Sequence, residues 1–343
     1  MRAVQVSSFG GPDVLEWADV PDPVVEADEV LVRVRAVGVN HVDLDIRAGV
    51  SGHPIRLPHI LGLEVVGEVE ELGEACATNL TQGDRVMVRQ ERTCDECADC
   101  LAGRTNLCRR VELIGVHRRG GYAEYVVARP DDLLSLPATL SFEDAAAVQV
   151  AFGTACHALV AVGALQAGET VLVNAAGSGV SSAAIQVATL LGARVIASVG
   201  RRAKVPTARA SGVAEVVCYE AASLAEAVLS ATGGEGVNLV FDPVGGEILR
   251  ESLRSVCLGG RVVSCGAHGG EITPIDVVGL FRSELTVRGS RMWTRSELEH
   301  VLRLVADGKL NPVVDSSYPL RHAQAAHERM AARDHYGKLV LVP

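Results

Sequence analysis

The chain has 343 residues, which is more than one hydrophobic core usually fills, so two domains are expected. Aromatic residues make up only 3% of a chain that is 48% hydrophobic, a balance that favours a mixed α/β fold over a β-sandwich. The formal net charge of −10 argues against a nucleic-acid partner, because phosphate backbones are bound largely by clustered Lys and Arg.

The N-terminus begins a strand pattern at once and has no charged region followed by an apolar one, so no signal peptide is predicted. The longest apolar runs are well short of the roughly 20 residues that a membrane helix needs. We therefore expect a cytoplasmic protein that acts on a small molecule and has neither a membrane nor a nucleic-acid partner.

The first part of the chain, up to about residue 148, is a series of short strands and turns. Apolar stretches bounded by Gly, Pro and Asp predict strands at 2–6, 30–37, 64–72, 85–88 and 123–127. We predict that residues 1–149 form an all-β, barrel-like domain.

A hydrophilic loop in this domain carries four closely spaced cysteines: Cys94, Cys97, Cys100 and Cys108. Thiolates at this spacing can surround one tetrahedral Zn²⁺, and an all-cysteine shell leaves no open position for water or substrate. An iron–sulfur cluster is the alternative, but its usual cysteine run closes with a short gap and a proline, whereas Arg109 follows the last cysteine here. We predict one structural zinc ion per chain, in a lobe over residues 90–110.

From Thr170 the pattern changes to short apolar strands that alternate with helices. Strands are predicted at 171–173, 195–197, 215–218, 239–241 and 261–263, with a helix at 181–191. Such alternation indicates a parallel sheet with helices on both faces, which we assign to residues 150–288. Residues 289–343, with a predicted helix at 296–307 and a strand at 338–341, are expected to return to the first domain.

A turn of small residues lies between the first of these strands and the following helix. Its residues are Gly177, Ser178, Gly179, Val180 and Ser181. Such a turn lets the backbone approach a pyrophosphate, whose charge is met by the free amides of the next helix. Ser181 stands where a third glycine commonly packs the helix against the strand, so the match is inexact. The strand–turn–helix context nevertheless predicts a dinucleotide cofactor.

The end of the second strand indicates which dinucleotide is bound. NAD sites usually place an acidic residue there for the ribose hydroxyls, whereas a phosphorylated ribose needs positive charge. This chain has Arg201, Arg202 and Lys204 at that point and no acidic residue until Glu215. Without the upstream turn, the three cations would be interpreted as a solvated helix start. With it, NADPH is the predicted cofactor, and Arg201 or Arg202 is predicted to contact its phosphate.

The β-rich half, the four-cysteine lobe and the nucleotide turn, in this order, resemble the medium-chain dehydrogenase/reductase superfamily from end to end. Three segments sharpen the resemblance. They are AVGVNHVD at 36–43, PHILGLEVVG at 58–67 and NAAGSGVSSAAI at 174–185, the last similar to the quinone-reductase branch. The resemblance implies an α/β fold in which a GroES-like β-barrel domain is joined to a doubly wound parallel-sheet (Rossmann) domain.

The zinc-dependent alcohol dehydrogenases of this superfamily hold a second, catalytic metal ion. Their three ligand positions fall here on Asn40, Leu63 and Val150. Leu and Val cannot bind zinc and Asn is a poor ligand, so the resemblance implies the structural metal without the catalytic one. Asp43 and Glu64 persist at matching positions, where we expect them to hold the barrel by hydrogen bonds.

Asn40 matches the residue that quinone and enoyl reductases of the superfamily carry at this position. Those enzymes move a hydride from NADPH to a carbon conjugated with a carbonyl, and the resemblance makes Asn40 a candidate donor to the developing enolate oxygen. His41 and His53 are candidate proton donors, although for two histidines in loop-like sequence an exposed, uncatalytic role is an equal alternative. Three positions match residues that pack near the nicotinamide ring in the family: Thr154, Cys265 and Gly266. Cys265 is otherwise interpreted as a buried strand-end thiol and not as a nucleophile.

The predicted function is therefore an NADPH-dependent reductase of an activated double bond or a quinone, with structural zinc only. Two alternatives stay open: a zinc-independent carbonyl or alcohol dehydrogenase, and a non-catalytic NADPH-binding sensor or scaffold. We also expect a homodimer, or a tetramer built from dimers, because strand 285–289 would leave an open apolar edge on the sheet. Pairing of that strand across a twofold axis would cover it.

Overall fold

The computed structural model describes residues 1–220 and 222–343, which form two compact units. The first unit comprises Met1–Gln149 together with Val314–Pro343, and the second comprises Val150–Val313. The return to the first unit was predicted at residue 289, whereas in the structure it begins at Val314. The later boundary has a physical basis, because Asn311 N donates a hydrogen bond of 2.8 Å to Gln186 Oε1 in the second unit.

Ten strands, three short α-helices and three single turns of 3-10 helix (Pro12–Val14, Thr105–Leu107 and Pro130–Asp132) make up the first unit before the chain leaves it. The strands are β1 Arg2–Val6, β2 Leu15–Asp19, β3 Val30–Gly38, β4 His59–Ile60, β5 Glu64–Leu72, β6 Arg85–Val88, β7 Glu91–Arg92, β8 Glu112–Leu113, β9 Tyr125–Ala128 and β10 Leu133–Ser135. The helices are α1 His41–Ala48, α2 Ala98–Leu101 and α3 Phe142–Ala145. In β3, Val30, Val32 and Val34 are buried and alternate with more exposed residues, so one face of the strand lines the core.

The second unit alternates strands and helices. Its strands are β11 Thr170–Val173, β12 Arg194–Val199, β13 Glu215–Cys218, β14 Val237–Asp242, β15 Val256–Ser264 and β16 Thr286–Gly289. Its helices are α4 Gln149–Cys156, which begins at the junction, α5 Gly179–Leu190, α6 Val205–Ala210, α7 Leu224–Ala231, α8 Gly246–Leu253, α9 Val277–Arg282 and α10 Arg295–Ala306.

The six strands of the second unit form one parallel sheet in the order β13-β12-β11-β14-β15-β16. Parallel strands covered on both faces are apolar throughout, and Val171, Leu172 and Val173 of β11 are all fully buried. The strand order reverses beside β11, so the turn after this strand lies at the switch point where such sheets bind ligands. β16 is an edge strand, as predicted, and the predicted fold class is confirmed.

The last part of the chain completes the first unit with β17 Val314–Pro319, α11 Ala323–Ala331 and β18 Lys338–Val342. β18 runs antiparallel to β3 within a seven-stranded sheet, and pairs Val340 with Gly38 and Leu341 with Val37. Continuing this register by two residues brings Lys338 opposite Asn40. β18 therefore places Lys338 beside the start of α1.

Helix α1 corrects the interpretation of residue 41 as loop. Asp43 stabilises the start of the helix, since its Oδ2 accepts a hydrogen bond of 2.8 Å from Asn40 N, and Gly49 ends it in a left-handed conformation with a φ of 78°. His41 is thus the first residue of a helix, whereas His53 does lie in a loop. Across residues 1–220 and 222–343, no helix combines the length and the apolar character needed to cross a membrane.

Candidate active site and metal cluster

The four cysteines of the predicted zinc lobe converge on one point. Their Sγ atoms all lie within 4.8 Å of one another, with Cys94 at 3.8 Å from Cys100 and 3.5 Å from Cys108. Four thiolates around a zinc ion at about 2.3 Å would be separated by about 3.8 Å, so the observed spacing fits a tetrahedral shell. In the described part of the chain, no other group of His, Cys, Asp or Glu side chains is close enough to hold a metal.

Local structure explains how the lobe brings the thiols together. The two-stranded β7–β8 sheet joins the two ends of the loop, and Cys97 precedes α2, which carries Cys100. Backbone N–H groups of Glu96 and Cys97 point at Cys94 Sγ and lower the pKa of that thiol to about 6. Within the same set of thiols, burial and the neighbouring thiols raise the pKa of Cys100 to about 12, so Cys94 is the thiol that ionises first.

Asn40 lies in a buried polar cluster of the first unit. Its Oδ1 accepts a hydrogen bond of 2.7 Å from Lys338 Nζ, and its Nδ2 lies 3.2 Å from Gly38 O and 3.3 Å from Glu64 Oε2. Lys338 Nζ also forms an ion pair of 2.7 Å with Glu64 and donates to Val39 O at 3.0 Å. All three ammonium hydrogens therefore have acceptors.

A second buried cluster is joined to the first through Asp43. The Oδ1 atom of Asp43 accepts a hydrogen bond of 3.1 Å from Gly62 N, and its carboxyl is also bonded by the hydroxyl of Tyr122. Gly62 has a φ of 101°, and a Cβ there would meet the Tyr122 ring at 2.6 Å, so only glycine fits. Burial outweighs these donors and raises the pKa of Asp43 to about 7.

The candidate catalytic residues are not all brought together. Asn40 and His41 are adjacent at the start of α1, and Leu63, buried with the apolar core, offers no ligand atom. His53 is exposed, and its ring packs edge-on against His117 with 5.4 Å between centroids. None of the contacts described for the Asn40 cluster involves His53. Val150 lies in α4 of the other unit.

A network of mostly buried hydrogen bonds supports the nucleotide turn. Ser178 caps α5 through a bond of 3.1 Å from Ser181 N, and Ser181 Oγ donates to Asn174 O at 2.6 Å. Asn174 is itself held by Ser198, Asp242 and Ser252 at 2.8 to 3.0 Å. Ser181 is fully buried, so this serine replaces the packing of a third glycine by a hydrogen bond. Gly179 and Val180 begin the helix, where the first backbone N–H groups have no acceptor within the helix.

The three predicted basic residues differ in their placement beside this turn. A Cβ on Gly177 would lie 2.9 Å from Lys204 Nζ, so the ammonium lies directly over the turn. Arg201 is exposed, and Arg202 is exposed with its N–H bonded to Glu220 Oε2 at 3.0 Å.

Tyr219 also belongs to this region and was missed by the sequence analysis. A Cβ on Gly200 would lie 3.0 Å from its hydroxyl. Tyr219 follows β13, the neighbour of β12, so the rule that parallel strands present their carboxyl ends at one edge could have indicated it.

Cys265 and Gly266 follow β15 at the same edge of the sheet. Cys265 is half-buried, and burial raises the pKa of its thiol, which favours the neutral thiol form. A Cβ on Gly266 would lie 2.5 Å from Pro243 O, so the close approach of these two backbone segments requires glycine. Thr154 lies in α4, next to Gly153, which packs against the buried ring of Trp293.

Comparison with known proteins gives consistent matches over the whole chain. The alcohol dehydrogenase GroES-like domain matches residues 26–138, and the zinc-binding dehydrogenase family matches residues 179–307. Quinone oxidoreductase of Mus musculus is 32% identical over 351 residues, covering 100% of this chain and 98% of that protein. An alcohol dehydrogenase of Geobacillus stearothermophilus is 33% identical over 342 residues, covering 99% of each. The crystal structure of an NAD-dependent alcohol dehydrogenase superposes with a TM-score of 0.94, at 40% identity and 100% coverage of both chains.

Proposed function

Because the chain belongs to the medium-chain dehydrogenase/reductase superfamily, in its quinone-reductase-like branch, we propose that it is an NADPH-dependent reductase of activated C=C bonds or quinones. It would hold one structural zinc ion and no catalytic metal. The bond between Lys338 and Asn40 carries this proposal, because it places a buried cation where a catalytic metal would need a ligand.

The donor set around Asn40 does not suit a divalent cation. Leu63 and Val150 have no ligand atom, and Asn40 Oδ1 already accepts a hydrogen bond from an ammonium group. A metal at this oxygen would displace Lys338 and meet its positive charge at close range. A reaction that needs no Lewis acid, such as hydride transfer to a polarised C=C bond or a quinone, fits this arrangement better than alcohol oxidation.

When bound, NADPH would supply the hydride. The protein's part is then to stabilise the negative charge that develops on the acceptor oxygen and to deliver a proton. The Asn40 amide is the proposed hydrogen-bond donor to that oxygen. His41 and His53 stay the proposed proton donors, and His41, adjacent to Asn40, is favoured by position.

The cofactor site is proposed to be the turn over Gly177–Ser181 with the residues that surround it. The N-terminus of α5 would meet the pyrophosphate, and Lys204, which lies over Gly177, would add positive charge there. Arg201, Arg202 and the Tyr219 hydroxyl would bind the phosphate on the ribose. Thr154, Cys265 and Gly266 are proposed to lie along the nicotinamide. The segment that follows β12 carries Arg201, Arg202 and Lys204 and no acidic residue before Glu215, which supports NADPH over NADH. The carboxylate of Glu220, which follows β13, accepts a hydrogen bond from the backbone N–H of Arg202.

The cysteine cluster is proposed to hold zinc in a closed, structural site. Its near-tetrahedral sulfur spacing fits Zn²⁺, and four thiolates leave no position for a substrate. Thiolate ligands of this kind suit a reducing compartment, in keeping with the proposed cytoplasmic location.

The test is an acceptor panel followed by NADPH absorbance. Purified protein is supplied with NADPH and either enones, quinones or aldehydes, before and after prolonged treatment with a chelator. We expect enone or quinone reduction with an initial rate that chelation leaves nearly intact until the cysteine lobe unfolds. Loss of all turnover on chelation, with recovery when zinc is added back to folded protein, would refute the proposal.

A zinc-independent alcohol dehydrogenase is the second candidate, because two of the similar proteins described above are named alcohol dehydrogenases and one of them is named NAD-dependent. This alternative predicts oxidation of simple alcohols with NAD⁺. The same protein assayed with primary and secondary alcohols and either NAD⁺ or NADP⁺ separates the two. Tight NADPH binding with no turnover of any substrate would instead indicate a sensor.

A homodimer is proposed from the edge of the sheet in the second unit. β16 has no strand on its outer side in the described chain, and its Val287 is 40% exposed. The neighbouring helix α9 exposes Val277, Val278 and Phe281. Pairing β16 across a twofold axis would satisfy its free backbone groups and cover these apolar side chains.

A further inference from the structure

Lys338 reaches Asn40 from the far end of the chain, 298 residues away, through the pairing of β18 with β3. We propose that Lys338 is a positioning residue, an inference that rests on the proposed function. Its buried ammonium holds the Asn40 amide in one orientation and strengthens the N–H groups that would meet the acceptor oxygen.

The orientation follows from the chemistry of the partners. An ammonium group only donates hydrogen bonds, so the amide atom 2.7 Å from Lys338 Nζ must be the oxygen. Gly38 O and the Glu64 carboxylate only accept, so the atom that faces them must be the nitrogen. Rotating the amide by half a turn would oppose donor to donor and acceptor to acceptor. Lys338 and Glu64 therefore select a single orientation of Asn40.

The contacts of Asn40 also differ in strength. The bond to Lys338 is charge-assisted and measures 2.7 Å, whereas the Nδ2 contacts measure 3.2 and 3.3 Å. Of the two longer contacts, the one to Gly38 O is the one that an incoming oxyanion would replace, because the Glu64 carboxylate would repel a second negative oxygen beside it. The amide oxygen stays anchored while the nitrogen exchanges partners.

The charge on Lys338 would act through the amide itself. A cation beside the amide oxygen favours the resonance form with negative oxygen and positive nitrogen, so the Nδ2 hydrogens become stronger donors. Glu64 balances the buried charge of Lys338 at 2.7 Å, since a lone buried ammonium would be strongly destabilising. The pair can thus polarise Asn40 with no net charge added to the site.

The experiment removes both charges of the pair together and measures whether the effect on kcat depends on Asn40. The variant Lys338→Met/Glu64→Gln removes one positive and one negative charge together, and it is made both alone and on an Asn40→Ala background. Lys338→Arg keeps the charge, and Lys309→Met, at an exposed lysine of the second unit, is the matched control. Measured quantities are kcat with an enone or quinone, and the NADPH Kd from fluorescence.

We expect Lys338→Met/Glu64→Gln to lower kcat by about tenfold or more and to leave the NADPH Kd within about twofold. On the Asn40→Ala background the same change should alter kcat by less than about twofold, because its target is gone. Lys338→Arg should recover part of the loss, and Lys309→Met should match the unmodified protein. Equal losses on both backgrounds, or an unchanged kcat, would overturn the proposal.

If the double variant does not fold, Lys338→Gln/Glu64→Gln takes its place, since a Gln amide can still donate to Asn40 Oδ1 without charge. It should keep the orientation and lose the polarisation, with a kcat below that of the unmodified protein. A kcat equal to that of the unmodified protein would overturn the polarising role.

A second readout does not depend on turnover. The side-chain amide of Asn40 gives a pair of nitrogen-bound proton signals that are assigned by their loss in Asn40→Ala. Exchange of these protons with solvent should be at least about tenfold faster in Lys338→Met/Glu64→Gln than in Lys338→Gln/Glu64→Gln, because both variants lack the Glu64 carboxylate and only the second keeps a donor to Asn40 Oδ1. If the unmodified protein reduces no acceptor, the proposed function fails, and this exchange rate alone decides the positioning role. Equal rates in the two variants would refute it.

Discussion

Tyr122 and His327 lie 205 residues apart in the chain and share a buried hydrogen bond of 3.0 Å between Oη and Nε2. On the other side of the imidazole, Nδ1 accepts a hydrogen bond of 3.3 Å from Arg47 Nη1. Burial, reinforced by this guanidinium, lowers the pKa of His327 to about 3. A neutral histidine therefore links α11 to α1 and to Tyr122 in the first unit.

Replacing His327 with Gln should make the protein relatively more stable in acid. The unfolded chain takes up a proton at this histidine near pH 6.5, whereas the folded protein resists it down to about pH 3. Through this residue the unmodified protein therefore loses stability as the pH falls through this window, and the variant lacks that contribution. Relative to the unmodified protein, the free energy of unfolding of His327→Gln should increase by up to about 1.4 kcal/mol for each pH unit below pH 6.5.

Protonation of Asp43 changes stability in the opposite direction, and this residue is present in both the variant and the unmodified protein. Its pKa of about 7 in the folded state means that it gains a proton, and adds stability, as the pH falls from 7 toward 4. Taking the difference between variant and unmodified protein removes this contribution. Urea unfolding at several pH values between 7 and 4.5 provides the measurement, with His322→Gln, at an exposed histidine, as control. A difference that stays constant across this range would contradict the buried, neutral state of His327.

Elemental analysis should find one zinc ion per chain, because the cysteine cluster is the one group of suitable ligands among the described residues. Cys97→Ser should lower metal content and the melting temperature of the lobe, since loss of a ligand removes metal-linked folding free energy. Turnover per folded molecule should change little. Cys76→Ser, at a half-buried cysteine outside the cluster, should retain the metal. Two zinc ions per chain, one of them lost in Asn40→Ala, would contradict the assignment.

Cofactor preference should follow charge. The unmodified protein should bind NADPH more tightly than NADH, and replacing Arg201 and Arg202 together by neutral residues should cut NADPH affinity by about tenfold or more. NADH affinity should be nearly unchanged, because the missing phosphate is the only group that differs. Fluorescence titration gives both constants, and Arg209→Ala, at an exposed arginine of α6, is the control. Equal affinity for the two cofactors before any substitution would refute the assignment.

Asn40→Ala should lower kcat for enone or quinone reduction and leave the NADPH Kd almost unchanged. The amide is proposed to act on charge that develops during hydride transfer, so its removal weakens the transition state by about tenfold to a thousandfold. Steady-state kinetics with saturating NADPH measure this effect. Thr78→Ala, at a position in the same unit but outside the buried cluster, provides the comparison. Unchanged reduction of every accepted substrate in Asn40→Ala would remove this residue from the mechanism.

The edge of the second-unit sheet should determine the oligomeric state. Val287→Lys in β16 places a charge on the edge that is proposed to pair across the twofold axis, so the dimer should dissociate. Sedimentation at micromolar concentration should give a species near 36.0 kDa for the variant and about twice that mass for the unmodified protein. Val24→Lys, at an exposed valine of the first unit, should leave the mass unchanged. A 36.0 kDa species before substitution would contradict the dimer.

The cysteine lobe and the nucleotide turn could be predicted because each is a local feature. Cys94 and Cys108 are separated by one short loop, and the residues from Gly177 to Ser181 form one turn between a strand and a helix. At such short separations, spacing and residue type limit the possible geometry strongly. Helix α1 was missed although its signal is equally local, since Asn40 and Asp43 have the three-residue spacing of a capping box and Asp43 Oδ2 accepts a hydrogen bond from Asn40 N.

The sequence alone determined the family resemblance, the two kinds of domain, the four thiols and the absence of two catalytic-zinc ligands. Only the tertiary structure decided what surrounds Asn40. Lys338 reaches it through the register of β18 on β3, and His327 reaches Tyr122 from α11. These contacts join residues separated by 200 to 300 positions, and neither hydrophobic periodicity nor motif spacing encodes such pairings. Strand register and burial set them, because a polar group enclosed in a core must find a partner in whichever segment packs against it.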